Sequence, residues 1–413
     1  MNTTITRRAL LASGAAGLAG LAGAGGATAY VLHRFNRVGD YRTEALAALA
    51  APGSSALLRR FPALRGRLPW RPLGRLPTPV EAWPLPGGGT LHIKRDDLSA
   101  GLYGGNKVRK LEHLLAEADL AGARQIITLG GIGSNQGLAT ALHGGQLGFE
   151  ITLSLFDHPL SPAVHRNLRG DLAAGAQLRF AEGIAGSLLN ARSAWLAAES
   201  PYFIPPGGSN RLGNVGFVNA GLELAEQIRA GQLPEPDRIY LPAGTCGTAA
   251  GLLAGLRLAG LRSRVIAVRV ADPLFTNRLV LRTLARDVLR YLAELLPELP
   301  RPKVDDADFE LLEDYLGPEY AAPTPAAVAA RDWAAPRLTL ETTYTGKALA
   351  ACLDDVRTAG RGDKVLFWNT YNSRDFPLAG SLHGLPPALQ ARLQEQARYT
   401  GHDTSPASST QAS

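Results

Sequence analysis

Three glycine-rich turns, each opening a helical pattern, constrain this chain more than any other feature: Gly104-Gly105-Asn106-Lys107, Gly130-Gly131-Ile132-Gly133-Ser134-Asn135-Gln136-Gly137 and Ala243-Gly244-Thr245-Cys246-Gly247-Thr248. Around them the apolar periodicity alternates. Leu91-His92-Ile93-Lys94 reads as a strand, and Val108, Leu111, Leu114, Leu115 and Ala118 fall at helical spacing. Gln125 to Leu129, Ile151 to Phe156, Arg238 to Leu241 and Val265 to Val270 read as further strands. Strands separated by helices need crossover connections, so the expected class is α/β with mostly parallel sheets. A chain of 413 residues has room for two or three domains or one large two-lobed enzyme.

Composition narrows the reading. With 46% hydrophobic and 19% charged residues the bulk is not a disordered chain. Two cysteines, Cys246 and Cys352, supply no disulfide framework, and neither lies in a paired zinc-type array. The histidines form no HExxH-like array, so no metal site is expected, and His158 and His165 read as loop surface. Of the 43 basic residues only six are lysine, which makes each lysine informative.

The ends read differently from the middle. Thr6-Arg7-Arg8 precedes a chargeless stretch from Ala9 to Leu32 with small residues at Ala27-Thr28-Ala29, so residues 1–32 resemble a twin-arginine export signal. That predicts an exported, periplasmic protein with no stable membrane insertion after cleavage, or an anchored one if the segment is retained. Residues 37–84, where arginines interleave with Pro62, Pro69, Pro72, Pro77 and Pro79, are expected to form an irregular arm on the domain surface. No nucleic-acid recognition motif accompanies those arginines, and no nucleic-acid partner is expected. Residues 394–413 are expected to be a disordered tail.

The turns carry the chemistry. Asn106 is a good N-cap type, which places Lys107 in the first turn of a helix, where the helix dipole disfavours an ammonium. Lys110, three residues on, would depress Lys107 further, and a lysine with a lowered pKa is what Schiff-base chemistry requires. Ser134, Asn135 and Gln136 offer donors at a helix N-terminus, suited to a carboxylate or phosphate. The glycines beside them, with Asp157 after the next strand, also imitate a dinucleotide-binding turn, so a nicotinamide oxidoreductase stays open at this point. In the third turn Gly244 and Gly247 would let amides point inward while Thr245 and Thr248 add hydroxyls, a cradle for a single phosphate. Cys246 within that turn reads as small filler.

In this order the motifs resemble the pyridoxal-phosphate enzymes of the tryptophan synthase β fold, in the branch of D-cysteine desulfhydrase and 1-aminocyclopropane-1-carboxylate deaminase. The resemblance runs from Leu76-Pro77-Thr78-Pro79 to Thr370 and includes Ile93 to Leu98, Pro206-Gly207-Gly208-Ser209-Asn210 and Tyr344-Thr345-Gly346-Lys347. It implies two lobes, each a mostly parallel sheet flanked by helices: a large cofactor domain from 85–112 and 206–385, and a small domain from 113–205. It also implies a homodimer acting on a small amino acid. Lys107 would carry pyridoxal 5'-phosphate and act in catalysis with Tyr344. Gly244, Thr245, Cys246, Gly247 and Thr248 would cradle the phosphate, Thr345 would meet the pyridine nitrogen near Thr370, and Ser134, Asn135 and Gln136 would hold the substrate carboxylate. A hydroxyl at Thr345, where the deaminase branch has Glu, implies a weaker electron sink. That suits loss of a thiolate better than opening of a cyclopropane. Tyr371 and Asn372 stand where the family has two glycines, and Glu341-Thr342-Thr343 replaces its acid-proline before the tyrosine. The reading that follows is α,β-elimination, with D-cysteine to pyruvate, ammonia and hydrogen sulfide as the reaction. An exported ligand-binding protein without catalysis is the non-enzymatic alternative.

Overall fold

Alternation of strand and helix resolves into two sheets, one per lobe. The computed structural model describes residues 55–85, 88–359 and 364–400. The export segment, the beginning of the arm and residues 401–413 lie outside them. The chain enters the large lobe with helix α1 (Ala56–Arg60), strands β1 (Val80–Pro84) and β2 (Thr90–Arg95), and helix α2 (Asn106–Leu120). It then builds the small lobe from β3 (Gln125–Gly131), α3 (Asn135–Gln146), β4 (Glu150–Phe156), α4 (Pro162–Ala173), β5 (Gln177–Ala181), α5 (Ile184–Ala197) and β6 (Pro201–Ile204). Return to the large lobe brings α6 (Arg211–Arg229), β7 (Arg238–Ala243), α7 (Gly247–Leu258), β8 (Arg264–Arg269), α8 (Arg278–Leu295) and β9 (Phe309–Leu312). Helices α9 (Pro325–Ala334) and α10 (Thr345–Ala359), strand β10 (Val365–Asn369) and helix α11 (Pro387–Thr400) follow.

The large sheet runs β1-β2-β10-β7-β8-β9 and the small one β5-β4-β3-β6. Every pairing is parallel except β1 with β2, which is antiparallel at the edge. Strand β10, last in sequence, inserts between β2 and β7, so the loops leaving the C-terminal ends of these three strands share one end of the sheet. Crevices at such reversals of strand order are where open α/β sheets bind ligands. Among the described residues no helix is long and apolar enough to cross a membrane.

Three expectations from sequence change. The 37–84 arm is not wholly irregular, since it holds α1 and the edge strand β1, and Leu57, Leu64, Leu68 and Trp70 are buried in the main core. It is tied along α2: Trp70 Nε1 donates to Glu112 Oε2 (3.1 Å), the Leu73 and Gly74 amides donate to Glu112 Oε1, and His113 Nδ1 lies 2.7 Å from the Pro69 carbonyl. The 394–413 tail begins too early, because α11 continues to Thr400. The lobe boundary at 112 cuts α2, a helix that packs against α6 of the large lobe along its length. Gly216 of α6 has no room for a Cβ, which would lie 2.0 Å from the Arg109 carbonyl.

Candidate active site

The loop before α2 sets the position of Lys107. Gly105, not Asn106, is the N-cap; its φ of 92° belongs to the left-handed region that favours glycine, and a Cβ there would lie 2.9 Å from the Thr370 carbonyl. Asn106 is the first helical residue. Its amide donates to Thr370 O (3.1 Å) and its side chain to Thr248 Oγ1 (3.0 Å), so it links the lysine turn to β10 and to the third glycine turn. Asn372 accepts from Gly104 N at 2.7 Å and completes the clamp.

Lys107 forms no hydrogen bond or ion pair with a described residue. The other interior lysines are engaged: Lys94 with Glu223, Lys110 with Ser209 and Lys347 with the Leu316 carbonyl. Burial lowers the Lys107 pKa to about 8, which brings an unusually large neutral fraction within reach of physiological pH. The cause differs from the one read in the sequence. Burial acts on Lys107, and the repulsion between the two cations weighs on Lys110, whose pKa is lowered well below the ordinary lysine value first by burial and then by Lys107.

Lys110 is a residue whose place the sequence reading missed. Its Nζ donates to Gly207 O and to Ser209 Oγ, both at 2.9 Å, and Ser209 Oγ lies 2.6 Å from Thr245 Oγ1. An ammonium, two hydroxyls and the start of α7 thus converge with no carboxylate bonded among them. Cys246 takes a left-handed conformation (φ 59°) at the N-cap of α7, and its buried thiol, with a pKa raised to about 12 by burial, is filler. The Gly247 amide does not point inward as expected, because it folds back onto the Thr245 carbonyl (2.7 Å). Glycine is needed there for space: a Cβ would lie 2.3 Å from Ser209 Oγ. The following first-turn amides of Thr248 and Ala249 have no intrahelical acceptor by position. Gly244 is held from behind by the Thr276 hydroxyl, which donates to its carbonyl.

At the start of α3, Ser134 Oγ caps the helix by accepting from Gly137 N (3.2 Å), which leaves its hydroxyl hydrogen to donate. Asn135 Oδ1 accepts from Tyr103 Oη (3.2 Å) and Asn167 Nδ2 (2.9 Å), so its own Nδ2 is the group left to donate. Gln136 does not join them. Its Nε2 bonds Thr140 on the same helix, and its Oε1, buried without a hydrogen-bond partner, faces Gly208.

Tyr344 and Thr345 open α10, where Glu341 caps the first turn. Its carboxylate accepts from the amides of Thr343, Tyr344 and Thr345 and from the Thr345 hydroxyl (3.1 Å). Thr345, fully buried, is therefore not an isolated hydroxyl but part of a unit with an acid whose pKa burial raises. The Tyr344 hydroxyl bonds that of Tyr320, and His158 packs edge-on to Tyr320 with ring centroids 5.2 Å apart. His158 is thus a half-buried loop residue with its ring turned inward. It is hydrogen-bonded to the carbonyls of Ile132 and Pro159 and fills the space over Gly131, where a Cβ would meet its ring at 2.4 Å. Asp157, the candidate ribose acid, is bonded instead to Arg392 (2.8 Å). Neither feature favours a dinucleotide.

An unengaged interior lysine, a cationic hydroxyl cup at a helix start and a paired set of tyrosines define a two-lobed α/β enzyme built around a phosphorylated carbonyl cofactor. The sequence matches the family described as "Pyridoxal-phosphate dependent enzyme" over residues 72–370. The chain belongs to that family, in the branch of D-cysteine desulfhydrases and 1-aminocyclopropane-1-carboxylate deaminases. It is 35% identical to the nocardicin C-9' epimerase of Nocardia uniformis, over 78% of this chain and 98% of the relative. It is 32% identical to the D-cysteine desulfhydrase of Klebsiella pneumoniae, over 76% and 94%. A solved ACC deaminase homologue superposes with a TM-score of 0.63 at 29% identity, covering 75% of this chain and 94% of that one. Pyridoxal phosphate fits the residues present: the cup supplies the donors its phosphate needs, and Lys107 supplies the free amine.

Proposed function

We propose that the protein is a lyase that catalyses α,β-elimination of a small thiol amino acid, with D-cysteine and water giving pyruvate, ammonia and hydrogen sulfide. The observation that carries the reading is the unengaged amine of Lys107 beside a cup whose only charge is the cation of Lys110. Bound pyridoxal phosphate withdraws electrons from the substrate's α-carbon and so acidifies its α-proton. The protein's own groups do the rest. Ser134 and Asn135 Nδ2 orient the carboxylate, Lys107 Nζ takes the α-proton, and the Tyr344 hydroxyl, polarised by Tyr320, protonates the departing sulfur. Lys110, Ser209, Thr245 and Thr248 hold the phosphate so that the reacting atoms keep their place. A hydroxyl at Thr345 supports thiolate loss over cyclopropane opening, and its bond to Glu341 tempers the contrast without placing an acid at that position.

A second reading, epimerisation at the α-carbon, is supported by the nocardicin epimerase relative and by the Ser134 hydroxyl, which has a proton to give. Purified holoenzyme supplied with D-cysteine, L-cysteine and 1-aminocyclopropane-1-carboxylate, with sulfide, pyruvate, 2-oxobutyrate and the enantiomeric composition of the remaining cysteine measured, separates these readings. Sulfide from D-cysteine supports the proposal, and strong ring opening without sulfide from either enantiomer defeats it. We further propose export by the twin-arginine route, with the cofactor loaded before translocation, and assembly as a homodimer. Arg7 and Arg8 changed together to lysine should strand the protein in the cytoplasm, and sedimentation should give twice the chain mass.

A further inference from the structure

The hydrogen bonds around Thr345 decide what kind of group its side chain can meet. A hydroxyl has one hydrogen to give and two lone pairs to receive with. One lone pair of Thr345 Oγ1 accepts the Glu341 amide at 3.1 Å. The hydrogen has two acceptors in reach, Glu341 Oε1 at 3.1 Å and the Glu341 carbonyl at 3.4 Å, and that carbonyl already takes the Gly346 amide at 2.8 Å. A carboxylate is the stronger acceptor, so the hydrogen goes to Oε1. What Thr345 has left for a group outside its own turn is a lone pair. That turn borders the phosphate cup, because Tyr344 lies against Gly244, where a Cβ would be 3.5 Å from the tyrosine ring.

Glu341 is arranged to receive that hydrogen. Its Oε2 accepts from the amides of Thr343 (2.7 Å) and Tyr344 (3.1 Å), and its Oε1 from the amides of Tyr344 (3.0 Å) and Thr345 (2.8 Å) and from the Thr345 hydroxyl. All of these are bonds that the carboxylate accepts, which favours its ionised form. Burial works the other way and raises its pKa. Among the described residues no cation forms an ion pair with it. Lys347, the lysine that senses its charge, is bonded to the Leu316 carbonyl, and Tyr320, Tyr344 and Tyr371 are phenols held neutral by burial first. A buried anion that is bonded but not paired is stabilised by a cation placed close to it.

We propose that Thr345 and Glu341 form a relay that keeps the pyridine nitrogen of the cofactor protonated, its N–H donating to Thr345 Oγ1 while Glu341 holds the hydroxyl hydrogen. The inference rests on the reading above, in which Thr345 meets that nitrogen, and it makes Glu341 a positioning residue. One proton has two alternative places. With it on Glu341, the acid donates to Thr345 and the hydroxyl turns its hydrogen to the nitrogen; with it on the nitrogen, both bonds reverse. The three amides around Glu341 favour the second arrangement. An acid acting at one remove makes the electron sink intermediate between that of a lone hydroxyl and that of a direct carboxylate.

The test reads the nitrogen itself. The protein is loaded with pyridoxal phosphate isotopically labelled at the ring nitrogen, whose magnetic resonance moves far upfield on protonation. Wild type at neutral pH should show the protonated position. Thr345→Val removes the hydroxyl and leaves the amide bonds of Glu341 in place, and it should shift the resonance to the unprotonated position. Glu341→Gln should do the same, because a side-chain amide can donate to Thr345 and turn the hydroxyl hydrogen toward the nitrogen. Thr345→Ser should keep the wild-type position, and the visible cofactor band should persist in all three variants. Where the loss of the Glu341 cap prevents Glu341→Gln from folding, the valine and serine variants decide. An unprotonated nitrogen in the wild type overturns the proposal, as does a protonated one that Thr345→Val leaves unchanged. A nitrogen that is lost from the protonated position in Thr345→Val but kept there in Glu341→Gln also overturns it, since the hydroxyl would then act without the acid. Sulfide release from D-cysteine is measured on the same loaded wild type: its absence beside a protonated nitrogen that both variants shift defeats the elimination reading and leaves the relay supported.

Discussion

Two sides of helix α2 treat buried cations in opposite ways. On one side Arg109, fully buried, donates to Asp96 and Glu223 at 2.7–2.9 Å, and Glu223 also accepts from Lys94 at 2.6 Å. Arg109 is held firmly protonated by these carboxylates, and Glu223 is driven well below the usual carboxylate range by Arg109 and Lys94 against the cost of burial. Lys94 is completed by three oxygens, from Thr78, Glu223 and Gln227. On the other side Lys107 and Lys110 have no carboxylate to set against burial; burial lowers both pKa values, as it does for Lys94, where Glu223 acts against it. Charges that only hold the fold together are compensated within the chain. On the proposed reading those left uncompensated are met from outside, by a phosphate at Lys110 and by a carbonyl carbon at Lys107.

The largest effect that would break this contrast lies at Lys107. Lys107→Ala should lower turnover by about 10³-fold or more, the scale of a lost base that also carries the cofactor. Borohydride reduction and peptide mapping of the wild type should place the label on Lys107. A label on Lys94, Lys110 or Lys347 would show that the unengaged amine is not the reactive one.

The compensated side should fail differently. Glu223→Gln leaves Lys94 and Arg109 short of a carboxylate in the interior, and removal of one partner from such a cluster costs about 3–5 kcal/mol. The expected result is a lower Tm and denaturation midpoint, with cofactor affinity of the folded fraction retained. A loss of affinity at unchanged Tm would mean that the network serves the site directly.

How much of this could be read from sequence follows the same division. The three turns were legible because glycine, a helix start and a polar residue leave a local signature, and that signature is what singles out Lys107, Thr245 and Thr248 as candidates. The cap was misplaced by one residue because the left-handed turn at Gly105 is imposed by the Thr370 backbone, 265 positions away by number. Lys110 passed for a neighbour of Lys107 because Ser209 reaches it only in the folded chain. Glu223 pairs with Lys94 across 129 residues, and no periodicity marks such a partner. Trp70 and Glu112 give the arm its order in the same non-local manner. Glu341 was seen only as a departure from a motif, since its capping of Tyr344 and Thr345 depends on how the chain turns into α10.

A smaller effect is expected at the phosphate cup. Lys110→Met should weaken cofactor binding by about 10–100-fold, as expected for loss of a hydrogen bond to a charged group. Titration of the apoprotein with pyridoxal phosphate, followed by the visible band, should show a weaker Kd and an unchanged amplitude at saturation. A reduced amplitude at saturation would assign Lys110 to the linkage and not to the phosphate.

The smallest expected effect is an absence of change, and it tests why Lys107 is reactive. Imine formation requires the neutral amine, so the rate at which apoprotein captures a simple aldehyde should rise about tenfold per pH unit and level off above about 8. The direction follows from the depressed pKa: acid protonates Lys107 and silences it, while base beyond the midpoint adds nothing. Repulsion between two cations is mutual, so Lys110 could be expected to share in setting that midpoint. It should not, because burial is the cause acting on Lys107, whereas the charge of Lys107 weighs on Lys110. Lys110→Met should therefore leave the midpoint for aldehyde capture within about half a unit of the wild type, with burial alone responsible for the shift. A rise of the midpoint by one unit or more in the variant would show that the charge of Lys110 helps to hold the Lys107 pKa down.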